Sequence, residues 1–369
     1  MKFIQAARHF AFLLALLPTI AIADAARAEH TLPVSASVCT TPSPLLATND
    51  FENTAFSEKK AEFIAQMAAN HGFDKTELDC IFSQIHPVDR VTRLIRPAPA
   101  GKPKNWRVYR ARFVEPVRIQ AGAAFWEKYE NALALAEEKY GVPAEIIVGI
   151  IGIETAYGSN TGNFRVLDAL ATLAFDYPEV PKRAARMAFF RTELEHALLY
   201  AREFGIDPLS LRGSYAGAIG WPQFMPGSIR HYAVDFDGDG IIDLRNSPVD
   251  AIGSVANFLA MHGWKRGSPM VFPANVDSGC VDSPDSFINQ GLAAKNTLAD
   301  LKAACVSVNL PLPQDLLFGL VDLQNGFSPT EYWLGTGNFF AITHYNRSYF
   351  YAMSVIDLGR AVRALRNSD

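Results

Sequence analysis

The chain has 369 residues, of which 49% are hydrophobic and 20% are charged, and its formal net charge is -4. These proportions are ordinary for a globular protein and leave room for one large or two to three small domains. Such a balance of charge offers no basic face, so the composition argues against nucleic-acid binding.

The first 28 residues have the pattern of a cleaved signal peptide, with a basic start, an apolar stretch over 10–22 and small residues over 25–28. The apolar stretch is shorter than the roughly 20 residues of a membrane-spanning helix, and no later segment qualifies as one. Cys39 lies well past this stretch and lacks the small residue that precedes a lipid-attachment site. We therefore expect an exported chain with neither a lipid anchor nor a transmembrane segment.

Residues 29–50 are rich in Pro, Ser and Thr, which predicts an extended lead-in. Residues 51–105 are predicted to form an N-terminal helical portion. Apolar positions recur there at helical spacing between 56 and 85, with a break at His71-Gly72, and the Pro-rich stretch 96–106 predicts a loop.

Residues 106–265 contain the strongest helical patterns and are predicted to form the core of the protein. We expect a long helix over 121–140 that stops at Gly141, and another that begins at Pro143. Further helices fit 166–175, 182–204 and 248–262.

Glu154 stands where the helical pattern asks for an apolar residue. It shares one helix face with Ile147, Ile150 and Ile151, because helix neighbours are three, four and seven residues apart. Burial raises the pKa of a carboxyl group, and a protonated glutamate in an apolar setting suits a general acid for glycoside cleavage. The same spacing fits a core glutamate in an ion pair, for which the candidate partners are Arg165, Arg186 and Arg191.

Three glycines lie close to Glu154 in the sequence, at Gly149, Gly152 and Gly158. A glycine weakens a helix by roughly 1 kcal/mol relative to alanine. We therefore expect another group to approach the backbone closely in this segment.

Residues 212–236 are dense in Gly, aromatic and short polar residues and contain two prolines, which excludes an ordinary helix. Such a segment suits a cleft wall, with Tyr215, Trp221 and Phe224 as stacking surfaces and Ser214 and Gln223 as hydrogen-bonding groups. A Gly-rich surface loop is the alternative.

The segment that begins at Asp235 matches the first nine positions of an EF-hand calcium loop, with carboxylates at positions one, three, five and nine and glycine at six. Asn246 stands at position twelve, where a bidentate glutamate is expected. A calcium ion here would be structural, since its hard oxygen ligands give little reason for redox chemistry or water activation. The alternative is a solvated acidic turn.

Residues 266–325 have more Pro, Ser, Asp and Gly and short apolar runs, which predicts a small inserted α/β unit. Residues 326–369 are aromatic at first and helical at the end, and we expect this C-terminal segment to pack on the core and the cleft. The chain has four cysteines, an even set that allows three pairings. We prefer Cys280 with Cys305 and Cys39 with Cys80, because each bridge then stays within one segment; free buried thiols are the alternative.

Three distinctive segments follow one another between residues 141 and 264. They read IIVGIIGIETAYGSN, GSYAGAIGWPQFMPGSIRHYAVDFDGDG and DAIGSVANFLAMHGW. Together they resemble the B-type lytic murein transglycosylases, and the resemblance runs from about residue 50 to the C-terminus. In that family the glutamate of the IETxxG segment is the sole catalytic residue. The resemblance therefore implies this role for Glu154.

The resemblance also implies binding residues. The family's tail motif, RYN followed by an aromatic residue, is represented here by His344-Tyr345-Asn346 and Tyr351, with histidine in place of arginine. The substrate-binding residues that we expect are Ser214, Tyr215, Gln223, Tyr345, Asn346 and Tyr351. The family's calcium loop is closed by the aspartate of the PVDAIGS segment, so the expected ligands are Asp235, Asp237, Asp239, Ile241 and Asp250.

The fold implied is mainly α (α+β). A lysozyme-like helical core over 106–265 contains a calcium loop at 235–250. It is joined by the N-terminal helical portion and by a small unit with antiparallel strands. The resemblance also implies a monomeric periplasmic enzyme that binds peptidoglycan glycan strands, with cell-wall synthesis or division proteins as candidate partners.

The activity implied is cleavage of the β-1,4 bond between N-acetylmuramic acid and N-acetylglucosamine by intramolecular attack. This leaves 1,6-anhydro ends, and the chemistry requires no cofactor. A two-carboxylate glycosidase would need a second Asp or Glu, and Asp168, Asp176 and Glu179 are weak candidates because they lie in apolar helical patterns or a Pro-rich turn. The alternatives are a hydrolytic muramidase on the same core and a non-catalytic, calcium-stabilised peptidoglycan-binding protein.

Overall fold

The computed structural model describes residues 54–97, 101, 103–277, 286–288 and 290–368. The predicted signal peptide, the lead-in, Cys39 and Cys280 lie outside these residues. The chain divides into two compact units. The first unit contains the described residues 54–97 and 161–231, and the second contains all the other described residues.

Helices dominate the described residues, and the strands are antiparallel, so the predicted mainly α class with some antiparallel sheet is confirmed. The helices are α1 (Thr54–His71), α2 (Lys75–Ser83), α3 (Asp89–Ile95), α4 (Trp106–Arg110), α5 (Pro116–Lys128), α6 (Glu130–Tyr140), α7 (Ala144–Thr155), α8 (Val166–Phe175), α9 (Arg183–Glu203), α10 (Pro226–Tyr232), α11 (Pro248–Met261), α12 (Leu298–Ala303), α13 (Gly337–Thr343) and α14 (Tyr349–Arg366). The strands are β1 (Phe164–Arg165), β2 (Arg212–Gly213), β3 (Val271–Val276), β4 (Val306–Ser307), β5 (Gly319–Asn325) and β6 (Ser328–Gly335).

In the first unit, the two helices of the predicted pair pack on each other and on the later helix α8. Phe63 of α1 lies against Phe82 of α2 and Phe175 of α8, with ring centroids 5.6 Å and 5.8 Å apart. Asp74 begins α2 because its side chain accepts a hydrogen bond from the backbone N–H of Glu77. Strands β1 and β2 pair with each other and so tie the start of α8 to the Gly-rich segment.

The second unit is organised around α7, which is buried along almost its whole length. A Cβ atom at Gly149 would lie 2.4 Å from the carbonyl oxygen of Val355, and one at Gly359 would lie 2.2 Å from that of Glu145. Glycine at both positions lets α7 and α14 approach backbone to backbone. The close approach expected around Glu154 is thus made by another helix of the protein.

The helix predicted over 121–140 is two helices. Helix α5 begins at Pro116, where the side chain of Glu115 accepts hydrogen bonds from two backbone N–H groups of the first turn, and it ends at Lys128. Helix α6 then runs to Gly141, whose φ of 72° ends it as expected. Sequence reasoning missed the start because glutamate is an uncommon residue at this capping position.

The four-stranded sheet of the second unit has the order β4-β3-β6-β5, with every neighbouring pair antiparallel. One face packs on an apolar cluster that includes Leu301, Val306 and Phe318. The β5–β6 hairpin turns at Gly326, whose φ is 66°. The predicted boundary at residue 325 falls at this turn, so the sheet continues through β6 into the C-terminal segment.

Cys80 and Cys305 are both disulfide-bonded, and no cysteine within the described ranges is free. The cysteines predicted to pair with them lie outside those ranges, so the pairing stays a prediction. None of the helices described here is long and apolar enough to cross a membrane.

Candidate active site

Glu154 lies in the last turn of α7, where it is half-buried. Its Oε1 atom accepts a hydrogen bond of 2.7 Å from the hydroxyl of Tyr351 in α14. Tyr351 is completely buried and its ring lies nearly parallel to that of Tyr345, with centroids 6.3 Å apart. The structure therefore brings Glu154 together with Tyr345 and Tyr351, which follow it in the sequence by 191 and 197 residues.

The surroundings of Glu154 favour its neutral form. Burial raises the pKa of Glu154 to about 7, and the hydrogen bond from Tyr351 opposes part of that rise. Burial, together with the negative charge of Glu154, raises the pKa of Tyr109 to about 12 and that of Tyr345 well above its usual range. A carboxyl group among neutral phenols is thus poised to gain or lose a proton near neutral pH.

The arginines considered as ion-pair partners of Glu154 are engaged inside the first unit. Arg165 donates to Asp168 at 2.7 Å, Arg186 donates to the hydroxyl of Tyr177 at 3.1 Å, and Arg191 donates to Gln66 at 2.7 Å. The core ion pair that the spacing also allowed is therefore not formed with these residues.

The turn that follows α7 has an unusual backbone. Ala156 and Tyr157 have φ values of 47° and 57°, a conformation that non-glycine residues rarely adopt. The hydroxyl of Tyr157 fills space beside Gly122 of α5 and Gly152 of α7, where added Cβ atoms would lie 2.3 Å and 2.5 Å from it. Arg118 donates to the carbonyl oxygen of Gly152 at 3.3 Å. A buried tyrosine and a half-buried arginine thus hold the end of the helix that carries Glu154.

Sequence reasoning did not identify Arg118, Tyr157 or Tyr109 as parts of this region. The glycines at 122 and 152 were the available signal, because each marks a close approach. Their partner, Tyr157, is three residues beyond Glu154 and could have been considered on that ground.

Ser214 and Gln223 shape the Gly-rich loop of the first unit. The hydroxyl oxygen of Ser214 accepts a hydrogen bond from the N–H of Ala218 at 3.0 Å. Gln223 has a φ of 51°, and its amide nitrogen donates to the carbonyl oxygens of Gly220 at 2.8 Å and Thr161 at 3.2 Å. Each of these two side chains therefore braces a turn of the backbone.

Tyr215 and Asn346 are both half-buried. Burial raises the pKa of Tyr215 to about 12. Asn346 lies in the second unit, where its carbonyl oxygen accepts a hydrogen bond from the N–H of Ser348 at 2.7 Å. It directly follows Tyr345, whose ring lies edge-on to Phe258 at 4.9 Å between centroids.

The carboxylates proposed as candidates for a second catalytic group all lie beside arginines of the first unit. Asp168 lies 2.7 Å from Arg165, and Glu179 and Asp176 lie 3.1 Å and 4.0 Å from Arg183. Ion pairing with these arginines explains the three carboxylates, so no catalytic role is needed for them.

The acidic loop brings three of its expected calcium ligands together. Asp235, Asp237 and Asp250 each place a carboxylate oxygen within 4.8 Å of the others. Asp250 is buried at the start of α11, and its two oxygens accept hydrogen bonds from the N–H groups of Phe236 and Asp243 at 2.8 Å each. Hard oxygen donors in such a cluster fit calcium.

Asp239 and Ile241, the other expected ligands, are exposed and are not part of the three-carboxylate cluster. Asp239 instead accepts a hydrogen bond of 2.7 Å from the N–H of Ile241. Asp243, at position nine, accepts hydrogen bonds from Arg245 and Asn246, so Asn246 supports the loop and does not close it.

Comparison with known proteins gives a consistent set of similarities. The sequence profile of the transglycosylase SLT domain matches residues 55–360. The chain is 43% identical over 326 residues to the membrane-bound lytic murein transglycosylase B of Escherichia coli (strain K12), which covers 86% of this chain and 85% of that protein.

Solved structures give the same result. The soluble lytic transglycosylase SltB1 from Pseudomonas aeruginosa is similar with a TM-score of 0.75 and 44% identity, over 84% of this chain and 99% of that one. The Escherichia coli lytic transglycosylase Slt35 in complex with calcium is similar with a TM-score of 0.73 and 44% identity, over 84% of this chain and 93% of that one.

Proposed function

This chain belongs to the transglycosylase SLT domain family, and we propose that it cleaves the glycan strands of peptidoglycan with Glu154 as its only catalytic acid and base. It is a lytic transglycosylase with the mainly helical, lysozyme-like fold of its structural relatives. The name of the Escherichia coli relative, a lytic murein transglycosylase, supports the choice of substrate.

The observation that carries the assignment of Glu154 is its setting: the carboxyl group is half-buried at the end of α7 and accepts a hydrogen bond of 2.7 Å from the hydroxyl of the buried Tyr351. Since burial raises the pKa of Glu154 to about 7, a large share of the molecules hold a protonated Glu154 at neutral pH. This form donates its proton to the oxygen that links N-acetylmuramic acid to N-acetylglucosamine, and the bond from C1 of the muramic residue to that oxygen breaks. The substrate's own N-acetyl group stabilises the positive centre at C1.

The second step restores Glu154. Its carboxylate accepts the proton of the C6 hydroxyl of the same muramic residue while that oxygen attacks C1. A C1–O6 bond forms, so the product is a 1,6-anhydro end and no water is consumed. One carboxyl group suffices because the proton that it gives to the leaving oxygen is replaced by the proton of the C6 hydroxyl.

Tyr351 positions Glu154 in this scheme. Its hydrogen bond holds Oε1 in a fixed direction and stabilises the carboxylate formed after the first proton transfer. We assign substrate contacts to Tyr345 and Asn346 in the second unit. Tyr351, which the sequence also predicted to bind substrate, is completely buried and keeps only the role of holding Glu154. In the first unit we assign substrate contacts to Ser214, Tyr215 and Gln223, with the side-chain carbonyl of Gln223 as an acceptor, since its amide nitrogen serves the loop.

Calcium is assigned to the acidic loop as a structural ion. Asp235, Asp237 and Asp250 would hold it, and Asp239 and the carbonyl of Ile241 would complete the ligand set. The three converging carboxylates and the calcium complex of a structural relative support this assignment. The ion would offset the mutual repulsion of these carboxylates, and no step of the reaction requires it.

The setting that we propose is the periplasm, reached by way of the N-terminal signal peptide. The enzyme would act there as a monomer, and cell-wall synthesis or division proteins would be its protein partners. The relative from Escherichia coli is named as membrane-bound, whereas the sequence around Cys39 favours a chain without lipid.

A pair of glutamine variants tests the role of Glu154. Glu154→Gln should lower the rate of peptidoglycan cleavage by about a thousandfold and keep glycan binding, because the amide cannot transfer a proton. Glu193→Gln is the matched control, since Glu193 is another glutamate whose pKa burial raises to about 7, and it has no assigned role in the reaction. Substantial cleavage by Glu154→Gln, with the control active, would remove Glu154 from its role.

A further inference from the structure

A groove lies on the four-stranded sheet of the second unit, and the proposed reaction does not use it. Its volume is about 530 Å³, and it is lined by residues of β3 and of β6. We call it the Trp333 groove, and its lining consists of residues 273–276 and 329–333.

The sheet register explains which side chains the groove presents. Pro273 of β3 and Trp333 of β6 are directly opposite each other, so their side chains lie on one face of the sheet. The residues that alternate with Pro273 and Trp333 along the two strands include Phe272, Ala274 and Tyr332. They pack on the apolar cluster beneath the other face. The partly exposed indole of Trp333 therefore stands on the face turned away from that cluster.

The chemistry of the groove matches a neutral sugar ring. A flat indole offers an apolar surface to the C–H face of a pyranose. Asn275, two residues from Pro273 on the same face of β3, brings a neutral amide that donates and accepts hydrogen bonds. The one charged side chain is Glu331, which accepts a hydrogen bond of 3.1 Å from Asn325 and lies 3.7 Å from Arg107. Its charge is thus already compensated within the protein.

The strand edge disfavours a peptide as the occupant. Strand β4 covers β3 only at Asn275 and Val276, which leaves the edge of Val271–Ala274 as the place where an extended peptide would add. Pro273 lies in this stretch and has no N–H to donate. A peptide strand would therefore find the ladder interrupted.

We propose that the Trp333 groove is a secondary binding site for the glycan strand of peptidoglycan, with one sugar ring stacked on Trp333. The proposal rests on the substrate class of the proposed function. The site would strengthen binding to long strands and leave the chemistry at Glu154 unchanged, because none of the groove residues belongs to the catalytic group.

The proposal is tested by measuring how tightly glycan strands bind to the full-length protein that carries Glu154→Gln. The probe is peptide-free glycan strands, prepared by amidase treatment of peptidoglycan. Trp333→Ala should weaken binding by about fivefold, as expected for the loss of one stacked aromatic ring. Trp333→Phe should restore most of the affinity. Trp126→Ala is the matched control, because Trp126 is another partly buried tryptophan that lies in α5, and it should bind like the parent.

Turnover by the active enzyme gives the second readout. Trp333→Ala should raise KM on long strands and leave kcat and KM on a soluble tetrasaccharide unchanged. Unchanged affinity of Trp333→Ala for peptide-free strands would overturn the proposal, and so would a loss that appears only on strands with peptide stems. Equal loss of kcat on both substrates would place Trp333 in the reaction site and contradict a separate site. None of these outcomes tests the role of Glu154. That role is contradicted only if Glu154→Gln stays active.

Discussion

The hydroxyl of Tyr351 donates a hydrogen bond of 2.7 Å to Oε1 of Glu154, although the two residues lie on different helices and far apart in the sequence. This bond lowers the pKa of Glu154, whereas burial raises it, and the outcome is a pKa of about 7. Without the bond the carboxyl would hold its proton more tightly. The pair therefore sets how readily the proposed acid can also act as a base.

Removal of the Tyr351 hydroxyl should affect both rate and pH dependence. Tyr351→Phe keeps the buried ring and deletes the donor, so the pKa of Glu154 should rise above about 7. We expect kcat to fall by about tenfold to a hundredfold and the high-pH limb of the rate profile to move to higher pH. A steady-state pH series measures both effects. A lower kcat with an unmoved limb would contradict the electrostatic role.

The pH profile of the unmodified enzyme should follow the protonation of Glu154. Since the reaction begins from the protonated form and the pKa is about 7, kcat/KM should be high below pH 7 and fall as pH rises through that value. A fluorescent glycan assay over pH 5 to about 9 would record this limb. A rate that rises continuously through neutral pH would show that the reaction begins from the carboxylate.

The free energy of unfolding should also depend on the protonation of Glu154. The pKa of Glu154 rises from 4.5 to about 7 on folding. The penalty on the folded state is therefore absent below pH 4.5, grows as pH rises from 4.5 to about 7 and stays at its full value above that. Glu154→Gln should therefore match the parent near pH 4 and exceed its free energy of unfolding by about 3 kcal/mol near pH 8. Urea unfolding at both pH values measures the difference.

Glu193→Gln again serves as a control for that experiment. Burial raises the pKa of Glu193 to about 7, so this variant should gain stability at high pH in the same direction while remaining active. A gain by Glu154→Gln that is equal at both pH values would show that packing, and not protonation, is responsible.

The close contact between α7 and α14 should not tolerate a methyl group. A Cβ at Gly149 would meet the carbonyl oxygen of Val355 at 2.4 Å, so Gly149→Ala should cost about 1 to 3 kcal/mol in unfolding free energy despite its better helix propensity. Gly337→Ala is the matched control, since its Cβ would meet nothing within 4 Å. Equal stability of the two variants in urea would refute the close approach.

Calcium should stabilise the second unit through Asp250. We expect added calcium to raise the Tm of the parent by binding the folded state alone, and Asp250→Asn to abolish most of that rise. Asp239→Asn should lose less, because Asp239 is outside the cluster of three carboxylates. Thermal unfolding with calcium, with magnesium and with chelator makes the comparison. A calcium effect that survives Asp250→Asn would place the ion elsewhere.

Local patterns in the sequence were sufficient to locate Glu154 and the acidic loop. The helical spacing of Ile147, Ile150 and Ile151 depends only on neighbours along the chain, and the calcium pattern is a contiguous run of residues. Tyr351 could be named only through the family resemblance. No periodicity reveals that a tyrosine of α14 donates to a glutamate of α7, because that contact follows from packing.

Other features could be identified only from the folded structure, for different reasons. The glycines near Glu154 indicated a close approach, but the sequence could not show that Val355 and Tyr157 make it. The Asn325-Gly326 pair is a strong hairpin signal, and its use would have extended the predicted sheet to β6. Trp333 shows no local signal at all, since its exposed position depends on the pairing of β3 with β6.

In the proposed reaction Glu154 gives one proton to the leaving oxygen and takes another from the substrate's own C6 hydroxyl as that oxygen attacks C1. Mass spectrometry of soluble products from purified protein and sacculi, digested in heavy-oxygen water, tests it most directly. We expect muropeptides with 1,6-anhydro ends, each one water lighter than a reducing end and free of the heavy isotope. Reducing ends that carry the heavy oxygen would show that water attacks C1, and the enzyme would then be a muramidase.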